Sequence, residues 1–101
     1  MADGNGELIP EMIRIFIEQV DEFKDGMQNA LNEKDWVMLS KIAHKAKSSV
    51  AVMGMKDIAE QLKNLEINAM EGLDTENYNK IVDIFLKACN EAVTELKEYI
   101  P

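Results

Sequence analysis

Apolar residues recur along most of this chain at intervals of three and four, the spacing of one face of an α-helix. The first stripe is Ile13, Phe16, Ile17, Val20, Phe23, Met27, Ala30 and Leu31. It predicts a long helix from about Ile9 or Pro10 to Asn32, with Pro10 in the first turn, where its missing N–H has no partner to lose. A second stripe is Leu39, Ile42, Ala43, Ala46, Val50 and Met53. It predicts a helix over about residues 36–53, capped by Asp35 and stopped at Gly54. Ile58, Ala59, Leu62, Leu65 and Ala69 predict a third helix over about 56–71, ended by Gly72. Tyr78, Ile81, Val82, Phe85, Ala88, Cys89, Ala92, Val93, Leu96 and Tyr99 form a fourth stripe close to a coiled-coil seam. It predicts a helix from about Glu76 to Ile100, with Asp74 or Thr75 as cap. No strand alternation and no internal repeat interrupts this series.

The connections are short, so consecutive helices are expected to lie antiparallel and side by side. The expected fold is all-α: an up-down-up-down antiparallel four-helix bundle over residues 8–101, monomeric. A short flexible N-terminal leader over residues 1–7 is expected before it, because the first six residues are polar and Gly-rich. Asp3-Gly4-Asn5-Gly6-Glu7 is not a calcium loop, because Leu8 and Arg14 stand where such a loop needs glycine and an acid. Gly26 weakens the first helix locally, by about 1 kcal/mol relative to alanine. The seven methionines are read mostly as core filler, with an adaptable partner surface as their other use.

Totals narrow the function. One hundred and one residues make one domain, and 47% hydrophobic with 30% charged residues is the balance of a soluble globular chain. No apolar run reaches the roughly eighteen residues of a membrane span. The N-terminus lacks a secretory signal pattern. The single Cys89 excludes an internal disulfide and fits a reducing compartment, so a cytoplasmic location is expected. A formal net charge of -8 argues against general nucleic-acid binding.

Charge is unevenly placed. Residues 34–56 hold five lysines (Lys34, Lys41, Lys45, Lys47 and Lys56) and one acid, Asp35, leaving six basic and eighteen acidic residues elsewhere. Inside this basic island lies the only histidine, His44. At about 100° per residue it projects away from the apolar stripe of the second helix. Its neighbours one turn away are Ser40, Lys41, Lys47 and Ser48. A lone histidine on a solvent face is ordinarily without a task, and a lysine-rich face is ordinarily just solvated. Their coincidence is what a site handling phosphate needs.

Other chemistries lack their residues. No Walker loop or Gly-rich nucleotide motif is present, so the chain has no ATP site and is not an autonomous kinase. A di-iron bundle site needs Glu-x-x-His pairs, and a zinc site needs more His or Cys. A Ser-His-acid triad needs an orienting acid. The one acid near in sequence, Asp35, is more than two helical turns from His44, and nothing signals another. Cys89 lies on an apolar stripe and reads as a small hydrophobe.

The run His44, Lys47, Ser48, Ser49, with Gly54 ten residues after the histidine, resembles the His-x-x-Lys-[Gly/Ser]-Ser signature of histidine-containing phosphotransfer (HPt) domains. The family usually has glycine where this chain has Ser48. The resemblance spans roughly residues 8–100. It implies a phosphorelay intermediate that reversibly accepts a phosphoryl group on His44, through Nε2, from the aspartate of a response-regulator receiver domain. It then passes the group to another receiver. Lys47 would support the phosphoryl group. Lys41, Lys45 and Ser48, with Ser49 nearer the core edge, would be surrounding surface. Val37 and Ala51 would complete the docking face. Ser49 is read as bonding backbone one turn back. The domain itself would bind no cofactor, and Mg2+ would be on the partner receiver. A hybrid histidine kinase is a further candidate partner. The alternative is a non-catalytic helical adaptor that binds a protein through the His44 face.

Overall fold

The computed structural model describes the backbone of residues 2–99 and the side chains of residues 10–98. It contains α1 (Ala2–Glu33), α2 (Trp36–Val52), α3 (Lys56–Glu71) and α4 (Tyr78–Leu96), with 3-10 turns at Thr75–Asn77 and Lys97–Tyr99. No strand occurs among the described residues. Each helix packs on its neighbour in sequence, and α1 packs on α4 to close the ring. The result is the expected antiparallel four-helix bundle. It measures 47 by 20 by 18 Å, and its long axis matches the roughly 48 Å that α1 spans at 1.5 Å per residue.

The first three helices end in the same way. Lys34 N–H donates to the Leu31 carbonyl and Asp35 N–H to the Ala30 carbonyl, at 3.2 and 2.9 Å. Gly54 with Met55, and Gly72 with Leu73, repeat this pair of bonds at the ends of α2 and α3. This is the Schellman arrangement, which needs a left-handed residue just past the helix. Gly54 (φ 82°) and Gly72 (φ 68°) supply it without strain. Lys34 (φ 54°) supplies it against the preference of an L side chain. Asp35 caps α2 as expected, its carboxylate accepting from Met38 N–H at 3.1 Å.

The core follows the four stripes. Phe16, Phe23, Met27 and Ala30 of α1 meet Leu39, Ala43, Ala46 and Val50 of α2. Leu62, Leu65 and Ala69 of α3 and Tyr78, Val82, Phe85 and Cys89 of α4 complete it. Trp36 packs edge-on against Tyr78, with ring centroids 5.0 Å apart. Gly26 has a packing reason, because a Cβ there would come within 2.8 Å of the Ile42 side chain. The end of the Ile42 side chain fills the space over Gly26.

Helical backbone runs back through Pro10 to Ala2. Extending an existing helix gains a bond per residue fixed, and Pro10, inside this helix, has no N–H to bond the carbonyl four residues before it. Met1 lies outside the described residues, as does Ile100. The fourth helix begins at Tyr78, two residues late, because Thr75–Asn77 forms a 3-10 turn first. Neither Asp74 nor Thr75 caps α4, and the Asp74 carboxylate instead accepts from the Asn77 amide at 2.7 Å. The six described methionines divide evenly between core and surface. Met27 is fully buried and Met53 and Met55 flank the core, but Met12, Met38 and Met70 are exposed. They lie on the flanks of their stripes, where unbranched side chains reach solvent.

Candidate functional site

α2 turns Leu39, Ala43, Ala46 and Val50 into the core, and His44 lies at its midpoint on the other side. The imidazole side chain is 60% exposed. Val37, Lys41, His44, Ser48 and Ala51 follow one another at three- and four-residue steps, and all are exposed. Lys45 is exposed beside them. The structure therefore gathers these predicted residues on one strip. Lys47 is not on it. It leans toward α3, half-buried, and its ammonium donates to Glu66 Oε1 at 3.2 Å.

Glu66 is the residue that sequence reasoning missed. Its other carboxylate oxygen, Oε2, lies 2.9 Å from His44 Nδ1. An orienting acid therefore exists, supplied by α3 and not by the neighbourhood of Asp35. Partial burial pushes the Glu66 carboxyl upward, but the hydrogen bonds from Lys47 and then His44, with their charges, outweigh it and hold the group below the usual value. Glu66 is thus an acceptor only, and Nδ1 must carry the proton it receives. Fixing the proton on Nδ1 leaves the lone pair on Nε2, in a side chain that is largely exposed. An imidazole so held, when neutral, is a nucleophile at a defined atom.

The backbone beneath Glu66 is pinned as well. Ser40, read from the sequence as a solvent-face neighbour, is buried to 1% exposure, and its hydroxyl donates to the Glu66 carbonyl at 2.8 Å. It occupies the flank of α2 that α3 covers. Ser49 also departs from expectation. Its hydroxyl donates across to Gln19 Oε1 of α1 at 2.8 Å, because α1 brings a better-placed acceptor than the preceding turn.

A family profile for the Hpt domain matches residues 11–100. The chain belongs to the HPt domain family. Such domains serve histidine phosphotransfer in phosphorelays, and they interact with receiver domains and histidine kinases. Comparison with curated proteins and with solved structures gives no match.

Two depressions flank the histidine of this HPt domain. One, of about 610 Å³, runs along the α2–α3 side and is lined by Met38, Ser40, Lys41, His44, Glu66 and Met70, among others. The other, of about 250 Å³, lies between α1 and the end of α2, with Met12, Ile15, Phe16 and Val52 beside Ser48. The three exposed methionines thus border the site. Among the described residues, Lys41 and Lys45 make no ion pair, whereas Lys47 does. No cluster of metal-ligating side chains occurs among them, and no helix is long and apolar enough to cross a membrane. Cys89 is buried and its thiol is pushed up to about 12, which makes it packing and not a nucleophile.

Proposed function

We propose that this HPt domain carries a phosphoryl group on Nε2 of His44, taking it from the aspartate of one receiver domain and giving it to another. The observation that carries this reading is the imidazole itself, exposed at mid-helix with Nδ1 engaged by Glu66 and Nε2 unengaged. Phosphoryl transfer asks for in-line approach and charge stabilisation more than for acid–base groups. Exposed Ser48 and Ala51, both small, leave room for that approach.

In the forward step the Nε2 lone pair forms a bond to phosphorus as the phosphorus–oxygen bond to the donor carboxylate breaks. The electron pair leaves on that carboxylate. Lys47 supports the added charge, and its present partner Glu66 holds it within one turn of His44. Mg2+ on the receiver would supply the remaining charge stabilisation. Val37, Lys41, Lys45, Ser48 and Ala51 form the docking strip, and a hybrid kinase is a further partner. The domain acts as a monomer, in the cytoplasm.

The test is incubation with each phosphorylated receiver of the source organism, followed by a search for acid-labile, base-stable phosphate on this chain. Label on His44 supports the reading. Tight receiver binding with no label would make the domain an adaptor instead.

A further inference from the structure

Glu66 divides its carboxylate between two donors, Nδ1 of His44 at 2.9 Å and Nζ of Lys47 at 3.2 Å. Its side chain is only 26% exposed, and its carbonyl is fastened to α2 by the buried Ser40 hydroxyl. This is more support than an exposed imidazole needs for packing. Its chemical consequence appears after the phosphoryl group has arrived.

We propose that Glu66 is a positioning residue that keeps the proton on Nδ1 of His44 after phosphoryl transfer, and so sets how readily the group leaves. This deepens the phosphocarrier reading and rests on it. When the Nε2 lone pair captures phosphorus, the ring still bears its Nδ1 proton and becomes a phosphoimidazolium. On departure, the nitrogen–phosphorus bond breaks and its electron pair returns to Nε2. With the Nδ1 proton in place, the leaving group is neutral imidazole. If that proton has been lost to water, the leaving group is an imidazolate anion, which departs poorly. No proton need enter or leave in either direction while Glu66 holds Nδ1–H.

The charged surroundings favour this assignment to Glu66. From α2, the groups facing His44 are the cations Lys41 and Lys45, with Lys47 turned to Glu66. Those cations disfavour a proton on the ring. From α3, Glu66 is the carboxylate in contact, Glu71 lies beyond Ser40, and Lys56, Glu60 and Lys63 flank Lys47. From α1, the polar group facing this end of α2 is Gln19, which is uncharged and bonded to Ser49. Among the described residues, the one carboxylate touching the ring therefore opposes a basic surround, and a nearby opposite charge favours the protonated form.

The test needs no receiver. The full chain and its Glu66→Gln and Glu66→Asp variants are loaded with phosphate by phosphoramidate, and loss of the phosphohistidine signal is followed by phosphorus NMR. Imidazoles titrate in the physiological range, so the series runs from about pH 6 to about pH 9. Toward the acid end, where protons from water can reach Nδ1 without help from Glu66, the rates for wild type and Glu66→Gln should converge. At about pH 8 the wild type should lose it about three- to tenfold faster. Glu66→Asp, which keeps the charge, should recover part of that difference. Circular dichroism of each variant checks the fold, and a misfolded Gln variant leaves the Asp comparison to decide.

Equal rates at every pH would overturn the role given to Glu66 while leaving the carrier intact. So would a difference of constant size across the series, which a merely structural change would produce. Failure of the wild type to take phosphate on His44 would overturn the carrier reading, and this inference with it.

Discussion

The Ser40 hydroxyl, donated to the Glu66 carbonyl at 2.8 Å, holds α3 in the register that brings the Glu66 carboxylate level with His44. The bond lies at the base of the site, and the imidazole lies one turn further along α2. A neutral buried hydrogen bond contributes about 1 kcal/mol net. Ser40→Ala should therefore destabilise the bundle by about that amount in urea unfolding. The Glu66 carbonyl keeps its place in the α3 ladder, so no polar group is orphaned. Unchanged stability would mean that the register is held by apolar packing alone.

His44→Gln should abolish phosphate acceptance and leave the fold intact. Glutamine can still donate to Glu66 but has no ring nitrogen to form the nitrogen–phosphorus bond. With the side chain 60% exposed, the packing lost is small, and stability should change by less than about 0.5 kcal/mol. Labelling by a phosphorylated receiver, run beside thermal unfolding, measures both. Undiminished label on the variant would move the phosphate to another residue.

The helices and their buried faces were legible in the sequence because burial imposes a period that neighbours in sequence share. The capping of α2 by Asp35 and the stops at Gly54 and Gly72 were legible for a similar reason, since each is local. Glu66 was not. It stands between Leu65 and Ile67 like any polar residue at the edge of a stripe, and the stripe says nothing about which flank meets which helix. One signal was available. His44 and Glu66 each lie eleven residues from Met55, at the turn between α2 and α3. In an antiparallel helix pair, residues equidistant from the turn come level. The same flank argument explains Ser40.

Lys34→Gly should stabilise the domain. Lys34 occupies the left-handed position after α1 that glycine fills after α2 and α3. An L side chain in that conformation costs about 1–2 kcal/mol, part of which glycine gives back through its freer unfolded chain. The expected gain is about 0.5–1 kcal/mol, read from the midpoint of urea unfolding at unchanged slope. A loss of stability would show that the Lys34 side chain makes a contact worth more than the strain.

Lys47→Ala should slow transfer a few-fold without blocking it. The role proposed for Lys47 is to give charge to the site; its pair with Glu66 is partly exposed, and a pair of this kind is worth about 0.2–1 kcal/mol. The defect should deepen in acid. The Glu66 carboxyl is held low by its partners, so its contribution is full above the ordinary carboxylate range and is lost as pH falls through its folded value. Without Lys47 that loss begins at higher pH. Transfer rates compared at neutral and mildly acid pH check this, and complete inactivity with the fold intact would give Lys47 a larger role.

Docking of a receiver should separate into steering and contact. Lys41 and Lys45 are exposed and unpaired with any acid among the described residues, while Val37 and Val52 are about one-half and two-thirds exposed on the same helix. Ala51 lies on the strip one turn beyond Ser48, where contact with a partner would close over small side chains. Single exposed apolar residues are common on any surface. Here they lie near His44 and two apolar-lined depressions, which is the pattern of a contact surface. A receiver's acidic phosphorylation site should be drawn by the lysines and held by the apolar centre. Lys41→Glu combined with Lys45→Glu should then slow association, and the loss should shrink as added salt screens the charges. Ala51→Glu should act differently, obstructing the contact and raising the dissociation rate at all salt concentrations. Stopped-flow association and dissociation at two ionic strengths distinguish the two effects. An unchanged on-rate for the double charge reversal at low salt would reduce the lysines to a solvated face.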